Sequence, residues 1–387
     1  MHSISGGGMS MRRAVSILCV LILIPLLLLF LQIRAELPTE TAPLVQEKYD
    51  SWAGVLRLWV YEGWAANATT WLNRASSSFE AAHDGVYIET RKVDAAALRD
   101  FLTSGVNPPD MVLFPPGLLE NADGLMALGG LPQLRDGLAS CADGYAAPVL
   151  MGAYAWAYNR QALGELPTEA DVLICAPATD FSSPPAALML LLTAEQGAEV
   201  ELETPGVDLG LPVLAQARLS ATPISQEAYA AFTRGEADAL PVTQAEVRRL
   251  TALSEAGRGP DWSAAAAGEA MLADQLLLLG IVDWPRADIA ERQELCLSFL
   301  MHLLSEQTQA ALAVSGALPV LEGVSIYAGK AGYEALEAAA NLPLLVPPAF
   351  GTDWREALEA ITDAFLAGAI TSGEGLERLQ ASLGPTG

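Results

Sequence analysis

One stretch restricts the fold of this chain more than any other: residues 147–160, with the sequence Ala-Pro-Val-Leu-Met-Gly-Ala-Tyr-Ala-Trp-Ala-Tyr-Asn-Arg. Tyr154, Trp156 and Tyr158 are two residues apart, a spacing that places all three rings on one face of an extended strand. Gly152 leaves room beside that face for a close neighbour. Judged alone, the pattern fits a core strand with an aromatic face. Its position between two similar α/β halves favours a strand that starts in one lobe, passes the cleft and ends in the other.

The chain is too long for one average domain. It has 387 residues, of which 52% are hydrophobic and 17% are charged, so we expect two lobes of about 150–200 residues each. The net charge of −25 repels a phosphate backbone, which excludes nucleic acid as a partner. We attribute the acidity to a solvated surface rather than to a cationic ligand.

Metal-binding and redox motifs are missing from the sequence. The four cysteines include no Cys-x-x-Cys pair, and the three histidines are far apart along the chain. Such a set is too sparse for a histidine-rich metal site. We therefore expect no metal and no cofactor.

The N-terminal segment has the order of residues found in a secretory signal. A pair of arginines precedes a largely apolar run over residues 14–31, and the small residue Ala35 follows. The run is also nearly long enough to span a bilayer, so an uncleaved membrane anchor fits equally well. In both cases residues 1–35 export the chain, and the polar residues 36–54 form a linker. We expect a protein that is secreted or held on the cell surface through its apolar run.

Strand and helix patterns alternate after the linker. Strand patterns at residues 55–60, 86–93 and 109–114 are separated by two helical patterns, which is typical of a parallel sheet with right-handed crossovers. A similar order restarts after residue 160, and a second apolar strand is predicted at residues 275–282.

Several helices are predicted in the second half of the chain. Their ranges are 185–196, 225–233, 244–254, 287–304, 305–314, 332–340, 354–367 and 372–383. For the last of them, Ser372 is the predicted N-cap.

The motifs of common hydrolases are absent from the sequence. There is no Gly-x-Ser-x-Gly, no His-Glu-x-x-His and no phosphate-binding loop. His83 and His302 lie in or beside helical patterns and are poor candidates for a catalytic base. A carboxylate pair for glycoside cleavage stays open, because only a distance decides it. Glu62 and Asp283 are the candidates since each follows a strand, so an exported glycoside-hydrolase-like enzyme is one alternative.

Four segments together resemble a known family. They are Leu56-Arg-Leu-Trp-Val with the helix ending at Phe79-Glu80; Leu102-Thr-Ser-Gly105 before Pro109-Asp110-Met-Val-Leu-Phe114; Pro148 to Asn159; and Ala290 to Leu304 followed by Ser305-Glu-Gln-Thr-Gln309 and Gly316-Ala-Leu-Pro319. Their order and spacing are similar to those of the extracellular solute-binding proteins of bacterial ABC importers, the family that includes the maltose-binding protein. The resemblance covers about residues 55–383.

The resemblance implies a two-lobed α/β fold of the type II periplasmic-binding-protein kind. Each lobe would be a mixed sheet flanked by helices, and the hinge would have three crossings, near residues 154–156, 272–277 and 320–325. The implied N-terminal lobe consists of residues 55–153 and 275–322, and the implied C-terminal lobe of residues 154–274 and 323–387.

The resemblance also implies a function. The chain would be a monomeric, non-enzymatic protein that captures a small ligand, a carbohydrate, between lobes that close by hinge motion, for the membrane subunits of an ABC importer. Ligands of open α/β sheets lie at the carboxyl ends of strands, where rings suit the C–H faces of a sugar and polar groups suit its hydroxyls. The candidate ligand-binding residues are Glu62, Trp64, Phe114, Tyr154, Thr243, Gln244, Asp283, Trp284 and Trp354.

The sequence departs from the family at two points. The tryptophan-rich segment expected after the first strand of the second lobe is replaced by Ala178-Thr-Asp-Phe-Ser-Ser-Pro-Pro, and the frequent lipid-anchoring cysteine is missing. These departures leave a further alternative, an envelope sensory or structural protein with a degenerate cleft.

Overall fold

The structure, a computed structural model, describes most of the chain after the predicted linker. The described residues are 52–62, 68–104, 108–138, 141, 144–163, 171–175, 207–209, 216–220, 225–235, 239–266 and 270–383. The predicted export segment, the linker up to residue 51 and the predicted helix at residues 185–196 lie outside them. Within the described part, no helix has both the length and the apolar character needed to cross a membrane.

The strands of the described part are β1 Gly54–Tyr61, β2 Val86–Val93, β3 Met111–Phe114, β4 Ala146–Met151, β5 Ala155–Asn159, β6 Asp171–Cys175, β7 Val207–Leu209, β8 Gln216–Ser220, β9 Ala239–Val242, β10 Trp262–Ala265, β11 Met271–Leu272, β12 Leu276–Ile281 and β13 Leu344–Leu345. The helices are α1 Ala68–Ala82, α2 Ala95–Ser104, α3 Arg160–Leu163, α4 Ser225–Thr233, α5 Gln244–Glu255, α6 Ile289–Leu303, α7 Glu306–Ala310, α8 Ala331–Ala340, α9 Asp353–Leu366 and α10 Ser372–Ser382.

The first lobe is built on a five-stranded mixed sheet in the order β2-β1-β3-β12-β4. β1 pairs with β2 and β3 in parallel, as the alternating pattern predicts, whereas β12 is antiparallel to both β3 and β4. Leu56 and Leu58 of β1 point into the core with no exposure, because alternate residues of a strand face the same side. All residues of β3, β4 and β12 are buried, as expected for strands covered on both faces.

The second lobe is built on a six-stranded mixed sheet in the order β10-β5-β9-β6-β8-β7. β5 is antiparallel to β9 and β10, and β6 is parallel to β8 and β9. Helices α4, α5 and α8 contact this sheet, while α1, α2 and α6 contact the first. The predicted fold of two mixed sheets flanked by helices is confirmed; the residue boundaries of the lobes stay a prediction.

The strand predicted at residues 147–160 is two strands. β4 pairs with β12 in the first sheet and ends at Met151, and β5 pairs with β9 and β10 in the second sheet from Ala155 onward. One strand cannot continue in both sheets, because its hydrogen-bonding partners change at residues 152–154. Two further passages join the sheets, one between β10 and β12 and one between Leu318, which bridges to Met151, and α8.

Two helix details differ from the sequence-based expectation. The helix predicted at residues 305–314 is α7 followed by a 3₁₀ turn, Ala311–Val314. The N-cap of α10 is Thr371 rather than Ser372: the Thr371 hydroxyl accepts from the Glu374 amide, and the Glu374 carboxylate accepts from the Thr371 amide. The Thr-x-x-Glu spacing of this capping box places the cap one residue earlier.

Buried Asp110 fastens the start of β3 to its surroundings. Its side chain accepts hydrogen bonds from the Arg57 amide at 2.7 Å, from Arg286 Nη1 at 2.8 Å and from Arg292 Nη1 at 3.2 Å. Asp110 is only 4% exposed, so its charge depends on these donors. The carboxylate thereby ties β1, β3 and α6 together.

Replacing Asp110 with Ala should lower the free energy of unfolding by about 3 kcal/mol, because the variant leaves two arginines without their buried partner. A urea titration followed by circular dichroism measures the change. The control is Glu89→Ala, since Glu89 forms an exposed ion pair with Arg57 at 3.8 Å and should contribute less than about 1 kcal/mol. Equal effects of the two substitutions would contradict this role of Asp110.

Candidate ligand-binding site at the hinge

Both sheets turn the carboxyl ends of their parallel strands toward the segments that join them. In the first sheet β1 ends at Tyr61, β3 at Phe114 and β4 at Met151, while antiparallel β12 starts beside them. In the second sheet β9 ends at Val242, opposite Ala155 at the start of β5. Ligands of open α/β sheets bind at such an edge, so a ligand-binding site is expected beside the joining segments.

A hydrogen bond connects two of the joining segments. The Tyr154 hydroxyl donates to Asp274 Oδ1 at 2.5 Å, and Tyr154 is only 3% exposed. Burial raises the pKa of Asp274 to about 6, although the Tyr154 hydrogen bond and the charge of Arg355 act in the opposite direction. Burial also raises the pKa of Tyr154, and the neighbouring Asp274 charge adds to that shift.

Two glutamine side chains surround Gly152. The Gly152 amide donates to the Gln275 carbonyl at 2.7 Å, and Gln244 Nε2 donates to Gln275 Oε1 at 3.2 Å. A Cβ atom on Gly152 would lie 2.6–2.7 Å from amide atoms of both glutamines. A side chain at position 152 would therefore displace both glutamine amides and break their hydrogen bond, which explains the glycine noted in the sequence pattern.

The first turn of α9 brings Trp354 and Arg355 to the same edge. The Arg355 guanidinium lies 4.5 Å from the centre of the Trp354 ring, a cation–π contact, and Nη2 donates to the Pro116 carbonyl at 2.6 Å. Gly117 has a φ of +71°, and a Cβ atom there would lie 2.6 Å from Trp354 Nε1. Burial lowers the pKa of Arg355, while the charges of Asp274 and Tyr154 raise it.

We call this group of residues the hinge cluster. Its members are Tyr154, Gln244, Asp274, Gln275, Trp354 and Arg355. Three of its polar atoms, Gln244 Oε1, Gln275 Nε2 and Trp354 Nε1, are buried and have no hydrogen-bond partner among the described residues. Buried polar groups without partners are costly and rare in folded proteins. Because these three atoms have almost no exposed surface, a ligand reaches this acceptor and these two donors only when the cluster opens.

The structure brings three of the predicted site residues into the hinge cluster: Tyr154, Gln244 and Trp354. Phe114 lies in the core beside them with no exposure, and its ring centre is 6.0 Å from that of Phe350. Thr243 is the N-cap of α5, and its hydroxyl donates to the Glu246 carboxylate at 2.6 Å.

Glu62 follows β1 at the hinge edge and is exposed, whereas Trp64 lies outside the described residues. Asp283 and Trp284 are not brought to this edge. They follow β12, and because β12 is antiparallel to β3, its carboxyl end lies at the opposite edge of the sheet. There Asp283 accepts a hydrogen bond from Gln293 Nε2 of α6 at 2.9 Å.

Sequence reasoning missed Asp274, Gln275 and Arg355. Asp274 and Gln275 immediately precede β12. Because β12 runs antiparallel to β3 and β4, its first residues, not its last, lie at the sheet edge where β3 and β4 end. The sequence signal that could have identified these two residues is their position directly before β12, the strand with which the chain returns to the first sheet. Arg355 is adjacent in sequence to Trp354, which was a candidate.

Solved structures of sugar-binding proteins share this architecture over nearly their whole length. The GacH receptor of Streptomyces glaucescens, solved unliganded and with acarbose, matches with a TM-score of 0.57 and 15% identity over 86% of this chain and 97% of that one. The cyclic alpha-maltosyl-1,6-maltose binding protein from Arthrobacter globiformis matches with a TM-score of 0.55 and 15% identity over 87% and 99%. The sugar-binding protein MalE from Xanthomonas citri matches with a TM-score of 0.55 and 14% identity over 85% and 96%.

This chain has the fold of the maltose-binding-protein-like solute-binding proteins. The fold implied by the four sequence segments is thereby confirmed. Scans against protein-family models and against curated protein sequences gave no match. In this fold, the hinge cluster lies between the lobes, at two of the three joining segments.

The raised pKa of Asp274 makes a prediction about pH. A carboxyl whose pKa is about 6 when folded and about 3.9 when unfolded stabilises the protein below the unfolded value, and that stabilisation is lost as the pH rises through 6. The substitution Asp274→Asn removes this loss. Relative to the wild type, the free energy of unfolding of the variant should therefore rise by about 2 kcal/mol between pH 4 and pH 7.

Urea titrations at several pH values measure this difference, and carbon NMR of the Asp274 carboxyl reports its protonation directly. A difference that does not change between pH 4 and pH 7 would contradict the burial of this carboxyl.

Proposed function

We propose that this chain is an exported solute-binding protein that captures a small carbohydrate between its lobes and delivers it to the membrane subunits of an ABC importer. The observation that carries the proposal is the group of three unpartnered, buried polar atoms in the hinge cluster, next to the Trp354 ring. The shared fold supports it, since the three matched structures are of proteins that bind acarbose, a cyclic maltosyl-maltose or sugar.

A sugar suits the chemistry of the hinge cluster. Its hydroxyls both donate and accept hydrogen bonds, so they satisfy Gln244 Oε1, Gln275 Nε2 and Trp354 Nε1 together. Its C–H groups pack against an aromatic ring. Glu62, which is exposed at the same edge, would accept from a further hydroxyl. Trp64 stays a prediction for this site.

Binding and closure are coupled because the cluster takes residues from two of the joining segments. Tyr154 precedes the first strand of the second sheet, whereas Asp274 and Gln275 precede the returning strand of the first. A ligand that bridges these segments favours one relative position of the lobes over others, and the closed form can then be recognised by a partner. In this proposal the exported monomer is guided to the membrane by the apolar segment at residues 14–31.

A hydrolase is less well supported than a binding protein. The two carboxylates that sequence reasoning offered as a catalytic pair, Glu62 and Asp283, lie at opposite edges of the first sheet. β12 alone separates those edges by six residues, or about 20 Å, whereas glycosidase pairs lie about 5–9.5 Å apart. We therefore propose a role in binding without bond cleavage.

A ligand panel tests the proposal. We expect at least one sugar, among malto-oligosaccharides and other small saccharides, to raise the melting temperature of the purified full-length chain, since a ligand at 100 times its Kd adds about 2.7 kcal/mol of stability. Chromatography should recover that sugar unchanged. Release of cleaved products would favour the hydrolase, and a panel without any shift would favour the sensory or structural alternative.

The substitution Trp354→Phe tests the site itself. Trp354 is only 2% exposed, so alanine would leave a large cavity in the packing, whereas phenylalanine keeps a six-membered ring and removes the indole N–H together with the pyrrole part of the side chain. We expect sugar affinity to fall by about tenfold through the loss of one hydrogen bond, as measured by calorimetry.

The matched control is Trp284→Phe, which changes a half-buried tryptophan at the opposite edge of the first sheet and should leave sugar affinity unchanged. An unchanged affinity in Trp354→Phe, or an equal loss in both variants, would remove Trp354 from the site.

A further inference from the structure

A cavity with a volume of about 830 Å³ lies at the end of β5 that is far from the hinge cluster. Tyr154 precedes β5 and lies in the hinge cluster, whereas Arg160 follows β5 and lines this cavity. These positions are six apart in sequence, which corresponds to about 20 Å in an extended strand. The cavity is therefore separate from the hinge cluster, and its size is in the range of small-molecule sites.

The walls of this cavity carry more positive than negative charge. Two acidic side chains, Glu255 and Asp261, line it together with four basic ones, which are Arg160, Arg248, Arg258 and Lys330. One of the four is matched, because Arg160 Nε donates to Asp261 at 3.0 Å. The whole chain has 46 acidic and 21 basic residues, so a local basic excess goes against the general charge of the protein.

The loop after α5 holds Arg258 at the cavity wall. Its neighbours Gly257 and Gly259 have φ angles of +66° and +82°, which residues other than glycine rarely adopt. The Arg258 amide donates to the Leu253 carbonyl at 2.8 Å, which satisfies one of the last carbonyls of α5. The loop thus ends α5 in a hydrogen-bonded turn that presents an exposed arginine.

Two further features of the walls suit an anion that carries an organic group. α8 begins at the cavity with Lys330 as its N-cap, and no side chain caps its first amides, so the positive end of the helix faces the cavity. Glu334 of the first turn, whose carboxylate accepts from the Gly329 amide at 2.7 Å, offsets part of that charge. Trp262 gives the wall an aromatic surface. Its ring is placed by Gly332, where a Cβ atom would lie 2.6 Å from the indole, and by a 2.8 Å hydrogen bond from Nε1 to Ser254.

We propose that this cavity binds a phosphorylated small molecule of sugar size, as a second ligand distinct from the sugar of the hinge cluster. Guanidinium groups from α5 and from the following loop, the Lys330 ammonium and the α8 N-terminus contact the phosphate, because all of them pair well with a dianionic oxygen group. Trp262 packs against the organic part of the ligand.

Calorimetry on the purified full-length chain tests this site with glucose 6-phosphate, glucose and inorganic phosphate as probes. We expect saturable binding of one glucose 6-phosphate per chain, weaker binding of inorganic phosphate, and a clear loss of affinity between 50 and 500 mM KCl because exposed charges are screened. Saturating the hinge cluster with its sugar should leave this binding in place.

The decisive variant is the double substitution Arg258→Gln with Lys330→Gln, which should lower the affinity for glucose 6-phosphate by at least about tenfold. Its control is Lys92→Gln with Arg378→Gln, which removes two equally exposed charges outside the cavity and should change little. Circular dichroism verifies folding, and Lys330→Gln alone replaces the double variant if that one does not fold.

Three results would overturn the proposal: no saturable binding of glucose 6-phosphate by the wild type, the same affinity in the cavity variant, or the same loss in the control pair. Binding that the sugar of the hinge cluster abolishes would assign the phosphorylated probe to the hinge instead. That last outcome leaves the proposed function intact, so the two proposals fail separately.

Discussion

The antiparallel insertion of β12 between β3 and β4 is the constraint on which the rest of the structure depends. It completes the first sheet with a strand whose neighbours come from far earlier in the chain. Because β12 runs in the opposite direction to the other strands, the residues that precede it lie at the edge where β1, β3 and β4 end. Asp274 and Gln275 occupy that place, where they form hydrogen bonds with Tyr154, which lies between β4 and β5, and with Gln244 at the start of α5. The hinge cluster is a direct result of this pairing.

The interactions of the hinge cluster differ in kind from those that hold the lobes. Within the first lobe, Asp110 is surrounded by donors from three directions and leaves no part of its carboxylate unpaired. Within the hinge cluster, polar atoms of Gln244, Gln275 and Trp354 are buried without such partners. A folded protein tolerates such atoms where a function requires them. Polar groups are fully hydrogen-bonded around Asp110, whereas three polar atoms of the hinge cluster lack partners among the described residues. This difference suits a protein that binds a polar ligand between two stable lobes.

Local patterns in the sequence were sufficient to predict most strands and helices, because periodicity depends on which faces are buried. The alternation in β1 and the apolar run of β12 are examples. The direction of β12 is set by its neighbours, so its sequence could not reveal it, and Asp283 and Trp284 were expected at an edge where the structure does not place them. Tyr154 and Gln244 were predicted because they adjoin strands that the sequence pattern shows, and Trp354 was predicted from the family resemblance. Their partners Asp274 and Arg355 depend on tertiary pairing alone.

The distance in sequence between β3 and its partner β12 has a consequence for the order of folding. A growing chain that has reached the end of β10 already contains every strand of the second sheet, but the first sheet still lacks its fourth member. Until residues 276–281 are added, β3 and β4 keep open edges rich in apolar side chains, which are prone to pair with other chains. The first sheet therefore cannot close the edges of β3 and β4 before residues 276–281 have been made.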